Sequence, residues 1–310
     1  MIGDKLAYVA LVVRDQEAPA RVLGRDLGLV RTDVDAGQGT TIPVFSVGES
    51  ALALVPAGHA LVEGEERPGV HHVALAVADL GEGQAAAAKA GVAQAGAASR
   101  VGLGGRRTVA LDASRLSGVR TLLTEPLGLP TGRSEAIERI DHLGIASADN
   151  RAAVAAWCGQ LGRPLESQQT DMEVMIPVES FTSDRHGVIY HTRPPVPVGG
   201  LRVAFVTVGD TDLEFLQNFD PRQSGHVDHG AAGTTRQDQG AIAKFVSSRG
   251  AGLHHVALKT PDIDGVLARL DAAGVGLIDK TGRPGSRAGR IGFIHPRSMG
   301  GVLFHLDERP

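Results

Sequence analysis

The pattern of apolar and polar positions recurs four times along this chain of 310 residues. Each copy begins with a short run of Val, Ile, Leu and Ala, typical of a buried strand. An aspartate and a segment with apolar residues at helical spacing come next, and short β-branched runs separated by Gly-rich turns follow. The four copies begin near Leu6, Val70, Ile140 and Leu253. The pattern therefore predicts four repeats of a βαβββ unit.

The helix is clearest in the fourth copy. Ile263, Leu267 and Leu270 lie on one side of a helix that Gly274 is expected to end. An aspartate precedes the helical segment in every copy and is expected to cap its N-terminus: Asp15, Asp79, Asp149 and Asp262. The capping pattern supports the same unit in all four places.

A stretch rich in proline and glycine, 124–134, separates the second copy from the third. It is expected to link two domains of two units each, covering residues 1–132 and 133–310. Two long insertions interrupt the third copy, at 179–200 and 220–240. Long insertions in a compact domain are often functional loops.

Composition narrows the class of protein. Hydrophobic residues make up 42% and charged residues 21%, as in soluble globular proteins. The net charge of −4 gives no positive electrostatic field that would attract nucleic acid. The single cysteine, Cys158, rules out a disulfide within the chain and favours a cytoplasmic setting. The apolar run 6–13 is too short for a membrane span and lacks the layout of a cleavable signal. The expected partner is a small molecule, without nucleic acid or membrane.

Histidines recur at the start of the first strands. The stretch GVHHVAL at 69–75 nearly matches GLHHVAL at 252–258, and a weaker copy, IDHLGI, occupies 140–145. A module that places a histidine on the same strand in each copy can build a metal site. The copies must therefore be compared for their ligands.

Paired βαβββ units with a histidine on the first strand resemble the vicinal oxygen chelate superfamily, which includes glyoxalase I, methylmalonyl-CoA epimerase, bleomycin-resistance proteins and extradiol dioxygenases. The similarity to methylmalonyl-CoA epimerase is most specific in the second half, at 208–216, 241–245, 252–258 and 293–303. The resemblance implies an α+β fold of two glyoxalase-like domains, each a curved, mostly antiparallel sheet with its helices outside. An inert first half before a metal-bearing second half also resembles the organisation of the extradiol dioxygenases.

The resemblance implies one ligand from the first strand and one from the last strand of each unit. In the second half these positions hold His142, Glu214, His255 and His305, a set that suits one divalent Zn, Fe, Co, Mn or Ni ion. His305 stands where the family generally has glutamate, which removes a negative charge and a carboxylate that could act as a base. In the first half the positions hold Tyr8, Ala53, His72 and Leu122, so that half is expected to bind no metal.

The catalytic base is left open by the sequence. The candidates are His305, Glu173, His186, His191 and Tyr190, the last three on the first insertion. The second insertion carries His226 and His229, which are either solvated or further candidates for a substrate contact. Strand alternation is expected to turn His254 away from the site. The Gly-rich loop with Arg283, Arg287 and Arg290 is either a solvated turn or a contact for an anionic substrate.

The resemblance implies three functions. The first is isomerase, epimerase-like or lyase chemistry on a small oxygen-chelating substrate, anionic or an acyl-CoA, through a metal-stabilised enolate. The alternatives are a non-haem Fe(II) dioxygenase of the extradiol type and a small-molecule binding or resistance protein. A homodimer is a further expectation.

Overall fold

The computed structural model describes residues 2–37, 39–96, 99–219 and 239–309. Within these ranges the first half contains eight strands and two α-helices. The strands are β1 Leu6–Val13, β2 Arg31–Gly37, β3 Thr40–Val47, β4 Ser50–Pro56, β5 Gly69–Ala76, β6 Arg100–Val101, β7 Arg107–Ala110 and β8 Thr121–Thr124. The helices are α1 Glu17–Arg21, continued by the π-helical turn Val22–Asp26, and α2 Leu80–Lys89.

The second half repeats this plan with additions. Its strands are β9 Arg139–Ser147, β10 Leu165–Met175, β11 Val178–Ser183, β12 Gly187–Thr192, β13 Val196–Val208, β14 Thr211–Phe219, β15 Gly252–Lys259, β16 Arg283–Pro284, β17 Arg290–Ile294 and β18 Leu303–Glu308. Its helices are α3 Asn150–Val154, continued by the π-helical turn Ala155–Gln160, α4 Gln239–Arg249 and α5 Ile263–Ala272. None of the helices in the described ranges is long and apolar enough to cross a membrane.

Each half forms its own eight-stranded sheet. The strand orders are β2-β3-β4-β1-β5-β8-β7-β6 and β10-β13-β14-β9-β15-β18-β17-β16, so the two halves share one topology. The first strands of paired units run antiparallel at the centre, β1 with β5 and β9 with β15. Each first strand also pairs in parallel with the last strand of its own unit. The predicted α+β fold of βαβββ units is confirmed.

The helix caps follow the sequence closely. Asp79, Asp149 and Asp262 accept hydrogen bonds from backbone amides in the first turns of α2, α3 and α5. Asp15 accepts one from the amide of Ala18 at 3.0 Å. Because capping satisfies amides that the helix itself leaves unpaired, Asp79, Asp149 and Asp262 fix where α2, α3 and α5 begin, whereas the N-cap of α1 is Gln16, one residue after the predicted Asp15.

Alternation along the strands separates a helix-covered face from a concave face. Leu143, Leu213 and Phe304 point into one hydrophobic core that runs through both halves. In the first half the concave face is itself filled with apolar side chains, including Tyr8, Ala53 and Leu122. In the second half the corresponding positions are polar.

The first insertion is not a loop. β11 and β12 pair as a separate antiparallel hairpin, and β10 and β13 are extended to carry it. β-Branched and aromatic residues such as Val188, Ile189 and Tyr190 favour strands, which explains why this segment is a hairpin. His226 and His229 of the second insertion lie outside the described residues.

Candidate metal centre

Four neighbouring strands bring the predicted residues to one concave face. His142 lies on β9, Glu214 on β14, His255 on β15 and His305 on β18. The register places His255 beside Gly144, and Ala257 beside both His142 and His305. All four side chains are buried. The sheet topology therefore assembles residues that are far apart in sequence.

The three histidines form a compact group. Ligand atoms of His142, His255 and His305 lie within 4.8 Å of one another. The ring centroid of His305 is 4.9 Å from that of His142 and 4.8 Å from that of His255. This spacing allows all three imidazoles to face one point.

Glu214 contacts two of these imidazoles. Its Oε2 lies 3.3 Å from Nε2 of His142 and 3.5 Å from Nε2 of His255. Two ligands each about 2.1 Å from one tetrahedral ion are separated by about 3.4 Å. Both contacts therefore have the spacing of atoms that share a metal.

Several nitrogen atoms at this face have no hydrogen-bond partner within the described part of the structure. They are Nε2 of His142, Nε2 of His255 and both ring nitrogens of His305. Burying polar atoms without partners costs free energy, and a bound cation would satisfy them. The donor set of three imidazoles and one carboxylate fits a divalent transition metal such as Zn, Fe, Co, Ni or Mn.

The pKa shifts differ among the four candidate ligands. Burial lowers the pKa of His255, and it lowers the pKa of His305 further with the charges of His255 and His142. Burial would raise the pKa of Glu214, but the charges of His142 and His255 outweigh it and lower that pKa. Burial would lower the pKa of His142, but the charges of Glu214 and Asp141 outweigh it and raise that pKa. Because a metal binds the neutral imidazole, binding at His142 would release a proton.

Asp141 orients His142 from behind. Its Oδ2 accepts a hydrogen bond from Nδ1 of His142 at 2.9 Å. Arg287 donates to Asp141 at 2.7 Å, Arg309 at 3.0 Å and Arg139 at 3.2 Å. Burial would raise the pKa of Asp141, but its partners hold that pKa well below the usual range. The carboxylate fixes His142 with Nδ1 protonated and Nε2 free for a metal.

The loop before β17 closes over the same face. Ser286 lies 3.5 Å from Oε1 of Glu214, and Arg287 donates to Asp212 at 2.7 Å. The guanidinium of Arg287 stacks 3.8 Å from the ring centroid of Phe205. The prediction of a solvated turn is therefore wrong for Arg287, whose side chain is only 8% exposed.

Backbone conformation also marks this loop. Arg287 and Ala288 have φ values of 54° and 55°, in the left-handed region that side chains rarely adopt. The equivalent loop of the first half has Gly104 and Gly105 there, with φ values of 66° and 67°. The second half thus holds an arginine in a conformation that favours glycine, and such strain is typical of functional sites.

Gly144 is a site residue that the sequence argument missed. A Cβ atom at this position would lie 2.0 Å from Cε1 and 2.3 Å from Nδ1 of His255. The ring of His255 thus lies directly over the backbone of β9. The equivalent pair in the first half is Ala10 opposite His72. A glycine two residues after a ligand histidine, on the same face of the strand, is the signal that identifies it.

Asp307 was also missed. It lies two residues after His305 on the same face of β18, and it groups with Asp141 and His142. Burial raises the pKa of Asp307 to about 6. Because residues two apart on a strand face the same side, counting two positions on from His305 identifies Asp307 in the sequence.

The prediction for His254 rested on regular alternation, which fails there. The pairing of β15 with β9 skips His254 as a bulge. Its Nδ1 lies 3.0 Å from Nδ1 of His255, and its ring packs against Phe245. His71 and His72 repeat this geometry in the first half, with 2.7 Å between their Nδ1 atoms.

The remaining candidates are placed differently. Of the candidate catalytic side chains in the described part of the structure, His305 is the one at the buried face. His186 lies in the turn of the β11–β12 hairpin, and His191 and Tyr190 lie on β12, all exposed to solvent. The backbone of Glu173 pairs with Gly199 in the sheet, and its side chain lies outside the described atoms.

We expect Asp141→Asn to weaken divalent-metal binding by about 10- to 100-fold, because asparagine cannot supply the charge that holds His142 in its metal-binding form. Isothermal titration with Zn²⁺ measures this, with circular dichroism to confirm folding. The control is Asp33→Asn, which alters an exposed pair with Arg31 at 2.8 Å. Equal Zn²⁺ affinity in the Asp141→Asn and Asp33→Asn variants would contradict the role of Asp141.

Comparisons with known proteins agree with this fold. Residues 141–293 match the family model described as the Glyoxalase/Bleomycin resistance protein/Dioxygenase superfamily. The mitochondrial methylmalonyl-CoA epimerase of Homo sapiens is 24% identical over 218 residues, which are 70% of this chain and 98% of that protein. The one of Dictyostelium discoideum is 30% identical over 111 residues, 36% of this chain and 57% of that protein.

A solved structure resembles the entire chain. A triple mutant of 4-hydroxymandelate synthase from Streptomyces coelicolor aligns with 100% of this chain and 93% of its own, with a TM-score of 0.64 and 17% identity. At this identity the match concerns the fold. It extends over both sheets, whereas the family model falls in the second half.

Proposed function

The chain carries a domain of the glyoxalase/bleomycin resistance protein/dioxygenase superfamily in residues 141–293, and from this premise we propose that it is a divalent-metal-dependent enzyme. Its reaction is proton transfer of the isomerase or epimerase kind, or lyase chemistry, on a small substrate with two neighbouring oxygens. When bound, the ion supplies Lewis-acid polarisation that offsets the negative charge of an enolate.

One observation carries this proposal: buried imidazole nitrogens, without hydrogen-bond partners among the residues that the structure describes, converge beside a carboxylate. The residues that would hold the ion are His142, Glu214, His255 and His305. The equivalent residues of the first half lie in an apolar cluster or, for His72, contact Tyr8 and His71. We therefore assign the metal to the second half and a supporting role to residues 1–132.

The residues around this face also favour an anionic substrate. Arg287 is held in place by Asp141 and Asp212, and its Nε is buried without a hydrogen-bond partner among the described residues. An N–H donor that is held in place but makes no hydrogen bond within the described residues can bind a carboxylate or thioester oxygen of the substrate. A 2-carboxyacyl-CoA is one substrate of this class, and the relatives named methylmalonyl-CoA epimerase support it.

A second candidate is a non-haem Fe(II) dioxygenase. The proposed metal ligands all lie in the second half, whereas the equivalent positions of the first half are mostly apolar. This order of the two halves favours a dioxygenase. Imidazole and carboxylate donors also suit Fe(II). Against it, such enzymes typically use two histidines and one carboxylate, whereas three histidines converge here.

The experiment is solvent exchange with the metal-loaded protein. With methylmalonyl-CoA as probe in deuterated water, we expect deuterium at the α-carbon with the loaded wild type and none with the metal-stripped protein. Oxygen uptake with Fe(II) and no exchange would favour the dioxygenase. Failure to bind any divalent metal under metal-replete conditions would contradict both enzymatic functions and favour a small-molecule binding protein.

The homodimer stays a prediction that light scattering in solution can test.

A further inference from the structure

Residues 174–196 form an apolar arm on the second half. The ends of β10 and β13 pair at its base, with Met175 opposite Val196, and the β11–β12 hairpin continues beyond them. Thirteen large hydrophobic side chains are exposed in the described part of the chain, and nine of them belong to the arm: Val174, Met175, Ile176, Val178, Phe181, Val188, Ile189, Tyr190 and Val196. Such a concentration of exposed apolar surface is typical of an interaction site.

Both faces of the hairpin carry large apolar side chains. Residues that pair across two strands share a face, so Phe181 and Ile189 lie on one side. Alternation places Tyr190 on the other side, with Val188 and Val178. Tyr190 is 69% exposed and Phe181 is 55% exposed. A partner that covered only one face would therefore leave the other face in water.

The hairpin also presents open strand edges. β11 and β12 form a two-stranded sheet in which, among the described residues, neither strand has a second neighbour. A hairpin alone is marginally stable in water, and open edges pair readily with other strands. Proteins commonly block such edges with lysine, proline or a bulge, but 178–192 contains no lysine or proline and the register of β11 with β12 is unbroken. These edges are therefore available to a further strand.

The formal charges of the arm cancel. Glu179 accepts two hydrogen bonds of 2.9 Å from Arg193, and Asp184 is followed by Arg185 in the hairpin turn. Without net charge, the arm has no electrostatic attraction for nucleic acid or for an anionic lipid surface. It also does not repel an identical arm. The neutral charge and the two apolar faces together favour a partner with the same pattern.

We propose that the arm binds the same arm of a second copy of this chain, with the two β12 strands antiparallel about a two-fold axis. The two hairpins then form one four-stranded sheet, and each apolar face of one hairpin continues onto the matching face of the other. We choose the β12 edge because Val188, Ile189 and Tyr190 are consecutive there and the strand carries no acidic or basic residue other than His191.

The exposed area is sufficient for such a dimer. The nine half-exposed side chains together offer on the order of 800 Å², about the area that each partner contributes to a stable interface. The homodimer expected from the sequence thereby obtains a defined interface, and none of the four proposed metal ligands belongs to it.

Sedimentation equilibrium of the metal-loaded and the metal-stripped protein tests this proposal. We expect a wild-type dimer in both forms, because the metal ligands lie outside the arm. Ile189→Lys and Tyr190→Lys each place a charge on one face of β12 and should raise the dissociation constant of the dimer at least tenfold. Because both side chains are exposed, circular dichroism should confirm that both variants fold.

Hydrogen exchange identifies the strand that pairs. In the dimer, the β12 amides that point away from β11 donate to the partner strand. We therefore expect 187–192 to exchange more slowly as the protein concentration rises, and we expect no such dependence in Ile189→Lys. Exchange of 187–192 that is independent of concentration in the wild type would overturn the pairing of β12.

Val101→Lys is the matched control. Val101 is 68% exposed and lies on β6, the edge strand of the first-half sheet, outside the arm. This variant should keep the wild-type dissociation constant. A monomer at every concentration would overturn the proposal and assign the cover of the arm to another protein or to another part of the chain. Equal dissociation constants in Ile189→Lys and Val101→Lys would also overturn it, because the dimer would then use a different surface.

Discussion

Replacing His255 with alanine is expected to abolish stoichiometric metal binding, with a loss of affinity of at least about 100-fold. Changing a group that only orients a ligand costs about 10- to 100-fold, and His255→Ala removes a ligand itself. Nε2 of His255 lies 3.5 Å from Glu214 and has no hydrogen-bond partner within the described residues. Metal analysis after dialysis against Zn²⁺ measures the loss.

Thermal unfolding gives a second readout of the same change. A metal that binds only the folded state raises the melting temperature. We expect Zn²⁺ to raise it for the wild type and not for His255→Ala. The matched control is His72→Ala, the equivalent histidine of the first half, which should keep the full Zn²⁺ effect. Equal loss in both variants would show that the two halves have been assigned wrongly.

Replacing Gly144 with alanine is the second large effect expected. The added Cβ would lie 2.0 to 2.4 Å from three atoms of the His255 ring, far inside van der Waals contact. Because the imidazole is rigid and buried, it must leave its position, and its Nε2 leaves the other ligands. We expect at least a 50-fold loss of Zn²⁺ affinity in isothermal titration, similar in kind to Asp141→Asn.

Gly159→Ala is the control for this substitution. A Cβ at Gly159 meets nothing within 4 Å, so alanine adds a methyl group without displacing a neighbour. Wild-type affinity in Gly159→Ala with reduced affinity in Gly144→Ala supports the close approach of His255. If Gly144→Ala binds Zn²⁺ as tightly as Gly159→Ala, the position of the His255 ring is wrong.

The fold was largely predictable because its signals are local and repeated. An aspartate cap, a helical apolar pattern and a first strand recur in each unit, and these decide helix and strand positions without tertiary information. The hairpin of the first insertion was missed. Its strands are exposed on both sides, from Val178 to Thr192, so they lack the alternation that reveals a half-buried strand.

The site was predictable in its ligand candidates but not in its surroundings. His142 and His255 occupy repeated motifs, whereas Arg287 reaches Asp141 across 146 positions of sequence. No local sequence pattern predicts such a long-range contact. The bulge at His254 similarly depends on pairing between β15 and β9, which alternation alone does not reveal. Long-range contacts and register shifts thus set the limit of the sequence argument.

The most direct test of the central claim is anomalous diffraction from crystals of the Zn²⁺-loaded protein, recorded on both sides of the zinc absorption edge. We predict one strong anomalous peak per chain, enclosed by His142, Glu214, His255 and His305, and no peak at His72. A peak coordinated by other residues, or fully loaded crystals without a peak between these four side chains, would contradict the assignment of the metal centre.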